Sequence, residues 1–93
     1  MFIIRETFTA KPGEAGKLAQ RFKALMAGFP LRSRVMTDYI AGFNTVVMEV
    51  EVENLADFEK AMAEYGSRAD IREQMKGYTD QYVTGKREVF RVV

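Results

Sequence analysis

The sequence predicts an α+β domain in which strands and helices follow in the order βαββαβ. Three observations carry that prediction. Residues 2–9 and 45–53 alternate at period two and are rich in β-branched and aromatic side chains. Two other stretches, one around Leu18 and Phe22 and one around Phe58 and Met62, repeat apolar residues at spacings of three and four. Between residues 33–40 and 45–53, Ala41-Gly42-Phe43-Asn44 supplies the turn chemistry of a hairpin.

In the first strand Phe2, Ile4 and Phe8 share a face with Glu6, while Ile3, Arg5, Thr7 and Thr9 share the other. Lys11-Pro12-Gly13 ends it, and proline suits the first turn of a helix. That helix carries Ala15, Leu18, Ala19, Phe22, Leu25 and Met26 as one apolar stripe, and Gly28 and Pro30 stop it. The third strand, residues 45–53, turns Val46, Met48, Val50 and Val52 one way. Val47, Glu49, Glu51 and Glu53 turn the other way. Asn54 is a good N-cap for the second helix, whose stripe is Leu55, Phe58, Met62 and Tyr65. Ile71, Met75 and Tyr78 predict a further helical turn or two, interrupted by Gly77. The last strand spans residues 83–93, with mixed character on both sides. Right-handed crossovers then give an antiparallel four-stranded sheet in the order 4-1-3-2, both helices on one face. That is the ferredoxin-like arrangement, a single domain over residues 1–93.

A chain of 93 residues buries only about 60–65% of its unfolded surface, so its core is modest. Cysteine and histidine are both absent. Disulfides, thiolate zinc sites, the commonest general base and the usual haem ligand are therefore missing together. Net charge is +1, with 14 basic and 13 acidic residues spread along the chain, so a nucleic-acid partner is not expected. No run reaches the roughly 18 apolar residues needed to span a bilayer. The opening Met1-Phe2-Ile3-Ile4 meets Arg5 and Glu6 at once and does not read as a signal peptide. The expectation is a cytoplasmic protein with neither a membrane nor a nucleic-acid partner.

The sheet face away from the helices is expected to carry Ile3, Arg5 and Thr7, then Val35, Thr37 and Tyr39, then Thr45, Val47, Glu49 and Glu51. This set is too apolar for a solvated surface and too charged for a dry core. A second copy closing over it would leave a half-wet, ligand-sized space. Arg5 is expected to reach Glu49 or Glu51 across the ladder, or to anchor a carboxylate or phenolate. Arg5, Tyr39, Val47 and Glu49 are thus the candidate ligand-binding residues.

Several segments resemble the dimeric α/β-barrel superfamily, most nearly its NIPSNAP-like members. They are Thr9-Ala10-Lys11-Pro12-Gly13, Phe43-Asn44-Thr45-Val46-Val47, Glu53-Asn54-Leu55-Ala56-Asp57-Phe58 and Arg87-Glu88-Val89-Phe90-Arg91. The resemblance implies a homodimer whose two sheets enclose a ligand-sized space. The superfamily spans cofactor-free monooxygenases, haem enzymes, lactone isomerases and proteins without known activity, so the fold alone does not transmit a function.

The chemistry-bearing residues each have a plain reading. Glu49, Glu51 and Glu53 could face a hard cation, but such a row is more often a salt-bridged strand face, and no metal or other cofactor is expected. Glu6 among Phe2, Ile4 and Phe8 would need a partner if buried; a register break or an edge position is the expected reading. Asp38, Tyr39 and Asn44 could orient an aromatic substrate, but at a hairpin they usually serve the turn. The sequence assigns no catalytic residue. It favours a dimer that holds a small apolar or aromatic molecule between its sheets; the alternative is a cofactor-independent, monooxygenase-like enzyme in that space.

Overall fold

Alternation in the first segment forms β1 (Phe2–Ala10), an interior strand of the sheet. The computed structural model describes residues 1–93. After β1 come α1 (Ala15–Met26), β2 (Ser33–Thr37), β3 (Thr45–Val52), α2 (Leu55–Gly66), α3 (Ala69–Met75), a single 3-10 turn (Tyr78–Asp80) and β4 (Tyr82–Arg91). All pairings are antiparallel, and the strand order is β2-β3-β1-β4, the ferredoxin-like sheet.

The core lies where the alternating faces of β1 and β3 meet the stripe of α1. Ile4 stands opposite Val50 and Phe8 opposite Val46. Ile4, Leu18, Phe22 and Val46 are each no more than 2% exposed. Burial of each such side chain stabilises the fold by about 1.5–3 kcal/mol. In α2 the stripe buries Phe58 fully but leaves Leu55 and Met62 more than a third exposed. Asn54 caps α2 as expected, its Oδ1 accepting from the Ala56 N–H at 2.9 Å. Gly77 has φ of 82°, a left-handed turn that a side chain would strain; it stops α3 and sets Tyr78 against Phe22.

The structure corrects β2. The strand ends at Thr37 rather than running to Ile40, and its alternation has the opposite phase. Val35 pairs with Met48 and Thr37 with Val46, so both belong to the helix side, and Val35 packs against the core. Arg34 and Met36, opposite Glu49 and Val47, occupy the far face instead. The chain leaves the strand because Asp38 turns back onto Thr45. Asp38 donates its N–H to the Thr45 carbonyl, and its Oδ1 accepts the Thr45 N–H, each at 3.1 Å.

The structure also corrects Glu6, which is neither a register break nor an edge residue. It stays in phase with Ile4 and Phe8, opposite Met48 on one side and Arg87 on the other. The same ladder resolves β4. Gly85, Arg87, Val89 and Arg91 face the helix side, opposite Phe8, Glu6, Ile4 and Phe2, and Lys86, Glu88 and Phe90 face away. The helices pack over β1, β2 and β3. Val89, on the helix side of β4, is left 49% exposed.

Candidate functional site

The far face brings Arg5, Val47 and Glu49 together, as the alternation required. Tyr39 does not join them. It sits beyond the end of β2 in the hairpin loop, 97% exposed. Around Glu49 the geometry is closed. Arg5 Nε donates to Oε2 at 2.6 Å, and Arg34 Nε and Nη2 donate to Oε1 at 2.9 and 2.7 Å. Arg34 belongs to this group because the phase of β2 is opposite to the one the sequence predicts, which sets Arg34 beside Glu49. Burial would raise the Glu49 carboxyl, but the hydrogen bonds and charges of Arg34 and Arg5 outweigh it and hold the group below its usual range. The Arg5 guanidinium also lies over the Phe90 ring, 5.1 Å from its centroid. Glu51 lies 3.9 Å from Arg32, and the Glu53 side chain is 83% exposed, so the glutamate row does not converge on a cation site. Asp38 and Asn44 serve the turn, Asn44 through a left-handed φ of 62°.

On the helix side the sheet, α1, α2 and α3 do not close completely. They leave a cavity of about 190 Å³, and fourteen of its seventeen lining residues are hydrophobic. β1 and β3 supply Ile4, Phe8, Met48 and Val50 to its wall. The helices add Phe22, Met26, Phe58, Met62 and Met75. Four methionines in one wall make an adaptable lining.

Few polar groups enter this space. The Tyr65 hydroxyl is taken, donating to the Leu25 carbonyl. Glu6 uses one oxygen: Oε1 accepts from Arg87 Nε at 2.8 Å and lies 2.5 Å from Nη2, while no protein group donates to Oε2. The Glu6 side chain is 16% exposed. Arg87 reaches it from β4, its guanidinium 5.5 Å from the centroid of the Phe58 ring. Tyr78 closes another side. Burial first, then Tyr82 and the charge of Glu6, raise its phenol above the ordinary value, so it stays protonated at neutral pH. Glu6, Phe8, Tyr78 and Arg87 also line an open groove over Gly85, so these four residues form a wall common to the cavity and the groove. In the sequence the only sign of this site was Glu6 interrupting an apolar face.

No protein-family model and no curated protein matches this sequence. Solved structures do. An uncharacterised NIPSNAP-like domain protein from Burkholderia xenovorans superposes with a TM-score of 0.87 at 17% identity, over 99% of this chain and 84% of the other. A second uncharacterised NIPSNAP domain protein from that organism gives 0.86 at 9% identity, over 100% and 95%. The fold is NIPSNAP-like. It is shared more widely: a putative antibiotic biosynthesis monooxygenase from Chloroflexus aurantiacus J-10-fl gives a TM-score of 0.78 at 10% identity, over 99% and 92%. At such identities the NIPSNAP-like likeness is one of fold.

Proposed function

We propose that this NIPSNAP-like protein binds a small, mainly apolar molecule in the cavity between its helices and its sheet, and that two copies associate through the opposite sheet face. The observation that carries the first half is a mainly apolar cavity with one carboxylate oxygen in its wall that no protein group engages. An apolar protein cavity of about 150 Å³ is enough to take up benzene. The present one is larger, about 190 Å³, which suits a single substituted ring or a short branched chain. The space expected between two sheets around Arg5 is a weaker ligand site, because Arg5, Arg34 and Glu49 already satisfy one another.

What supports association is the make-up of the far face. Ile3, Met36, Val47 and Phe90 lie there among charges of both signs, Arg5, Arg34 and Lys86 with Glu49, Glu51 and Glu88. A second copy related by a two-fold axis can set cations opposite anions over an apolar centre.

The six methionines provide the test. Methyl-labelled protein titrated with ethylbenzene should shift Met26, Met48, Met62 and Met75, which line the cavity, and spare Met36 on the far face. A response confined to Met36 places the guest between sheets instead. A cofactor-independent, monooxygenase-like activity is the second reading. The feature favouring it is the protonated Tyr78 phenol in the same wall as Glu6. Its signature is oxygen uptake that depends on added substrate and is lost in Tyr78→Phe.

A further inference from the structure

The polar groups of the cavity specify more than an apolar guest. We infer that the site selects uncharged, mainly apolar molecules bearing one hydroxyl, which donates its hydrogen to Oε2 of Glu6. This rests on the cavity reading above and names its ligand class.

Glu6 is the centre of the argument. Its Oε1 is held by Arg87 and its Oε2 by nothing in the protein, in a wall that is mainly apolar. The Glu6 side chain is only 16% exposed and Oε2 is left to water alone. An alkane that displaces this water strips the oxygen of its donor, whereas a guest with a hydroxyl replaces it. Tyr65 cannot compete for this role, since its hydroxyl is committed to Leu25. Tyr78 adds a neutral hydroxyl to the same wall, a group that turns to donate or accept. An acceptor and an adaptable hydroxyl together match an alcohol, which both gives and takes a hydrogen bond.

Charge balance excludes the close alternatives. Glu6 and Arg87 cancel, so the empty cavity is neutral. A carboxylate guest would add an unpaired negative charge beside Glu6. An ammonium guest, although it could donate to Oε2, would share the single carboxylate with Arg87 and leave one positive charge in excess. Either ion would leave water for a space walled by fourteen hydrophobic residues, which costs more than one added hydrogen bond returns.

Four probes share one skeleton and differ only in this group: ethylbenzene, benzyl alcohol, benzoate and benzylammonium. Affinities come from titrating the methyl signals of Met48 and Met62 in the intact protein. Benzyl alcohol should bind about tenfold or more tightly than either ion. Glu6→Gln, which can replace the free acceptor with a donor, should weaken benzyl alcohol by about tenfold and change ethylbenzene less than about twofold. The comparison between probes in the native protein stands even if the variant folds poorly. The inference is overturned if either ion binds as tightly as the alcohol, or if the variant weakens alcohol and hydrocarbon by the same factor. Binding of ethylbenzene alone also overturns it while leaving the cavity reading intact. If none of the four moves the cavity methyls, both readings fall.

Discussion

Gly85 lies directly opposite Phe8 in the β1–β4 ladder, and a methyl group at position 85 would come within 2.9 Å of the Phe8 ring. Phe8 cannot retreat freely. Its ring centroid is 5.0 Å from that of Phe22 and 5.0 Å from that of Tyr82. The glycine therefore allows a buried aromatic to pack against β4 in the wall shared by the cavity and the groove. Gly85→Ala should push Phe8 toward the cavity and cost about 1–3 kcal/mol, as overpacking does. Urea denaturation measures the cost, and weaker ethylbenzene binding reports the lost volume. A variant as stable as the native protein with unchanged binding would show that Phe8 has room to move.

Phe22 is 1% exposed and stands at the centre of the α1 stripe, against Phe8 and Tyr78. Phe22→Ala should destabilise the protein by about 3–5 kcal/mol. The measurement is the chemical denaturation midpoint, and a midpoint equal to the native one would remove α1 from the core.

Glu49 should give the fold an acid-sensitive component. Its carboxyl titrates below the ordinary value of 4.5 in the folded chain because Arg34 and Arg5 favour the ionised form over the opposing effect of burial. The unfolded chain thus binds a proton first as pH falls. The contribution is complete above about pH 5 and disappears as pH falls through the depressed folded value. Glu49→Gln should lower stability at neutral pH by about 1–3 kcal/mol. That lies below the usual cost of breaking a buried pair, since the Arg5 and Arg34 side chains are 42% and 66% exposed and screened by solvent. Urea midpoints collected from pH 3 to 7 should converge for the two proteins at the acid end. A constant gap across that range would rule out this origin.

Val47 tests the far face. Val47→Asp places a charge in the apolar centre of the proposed dimer, where it would be desolvated without a partner. Light scattering at micromolar concentration should give twice the chain mass for the native protein and a lower mass for the variant. A native protein that is monomeric throughout would end the dimer proposal.

Much of the fold was written in local spacing. The stripe Leu18, Phe22, Leu25 and Met26 and the alternation Val46, Met48, Val50 and Val52 are each visible within one element, and all eight are buried. A contact from Arg5 to Glu49 or Glu51 was legible too, since β1 and β3 have clean alternation, and the register of the ladder selects Glu49. β2 was not. Val35 and Met36 are adjacent and both apolar, so either phase of the strand satisfies the pattern, and the ladder to β3 alone chose between them.

By itself, then, the sequence determined element order and the buried faces of β1, β3 and α1, because a period of two or of about 3.6 is a property of neighbouring residues. Right-handed crossovers applied to that order gave the sheet order. Tertiary structure decided what those periods do not contain. Glu6 and Arg87 are separated by most of the chain, and the register of β4 alone sets them opposite each other. Arg34 joined Glu49, and Tyr39 left the sheet, through the phase and length of β2. The cavity itself is a volume left between α1, α2, α3 and the sheet, and a volume between elements has no signature in any one of them.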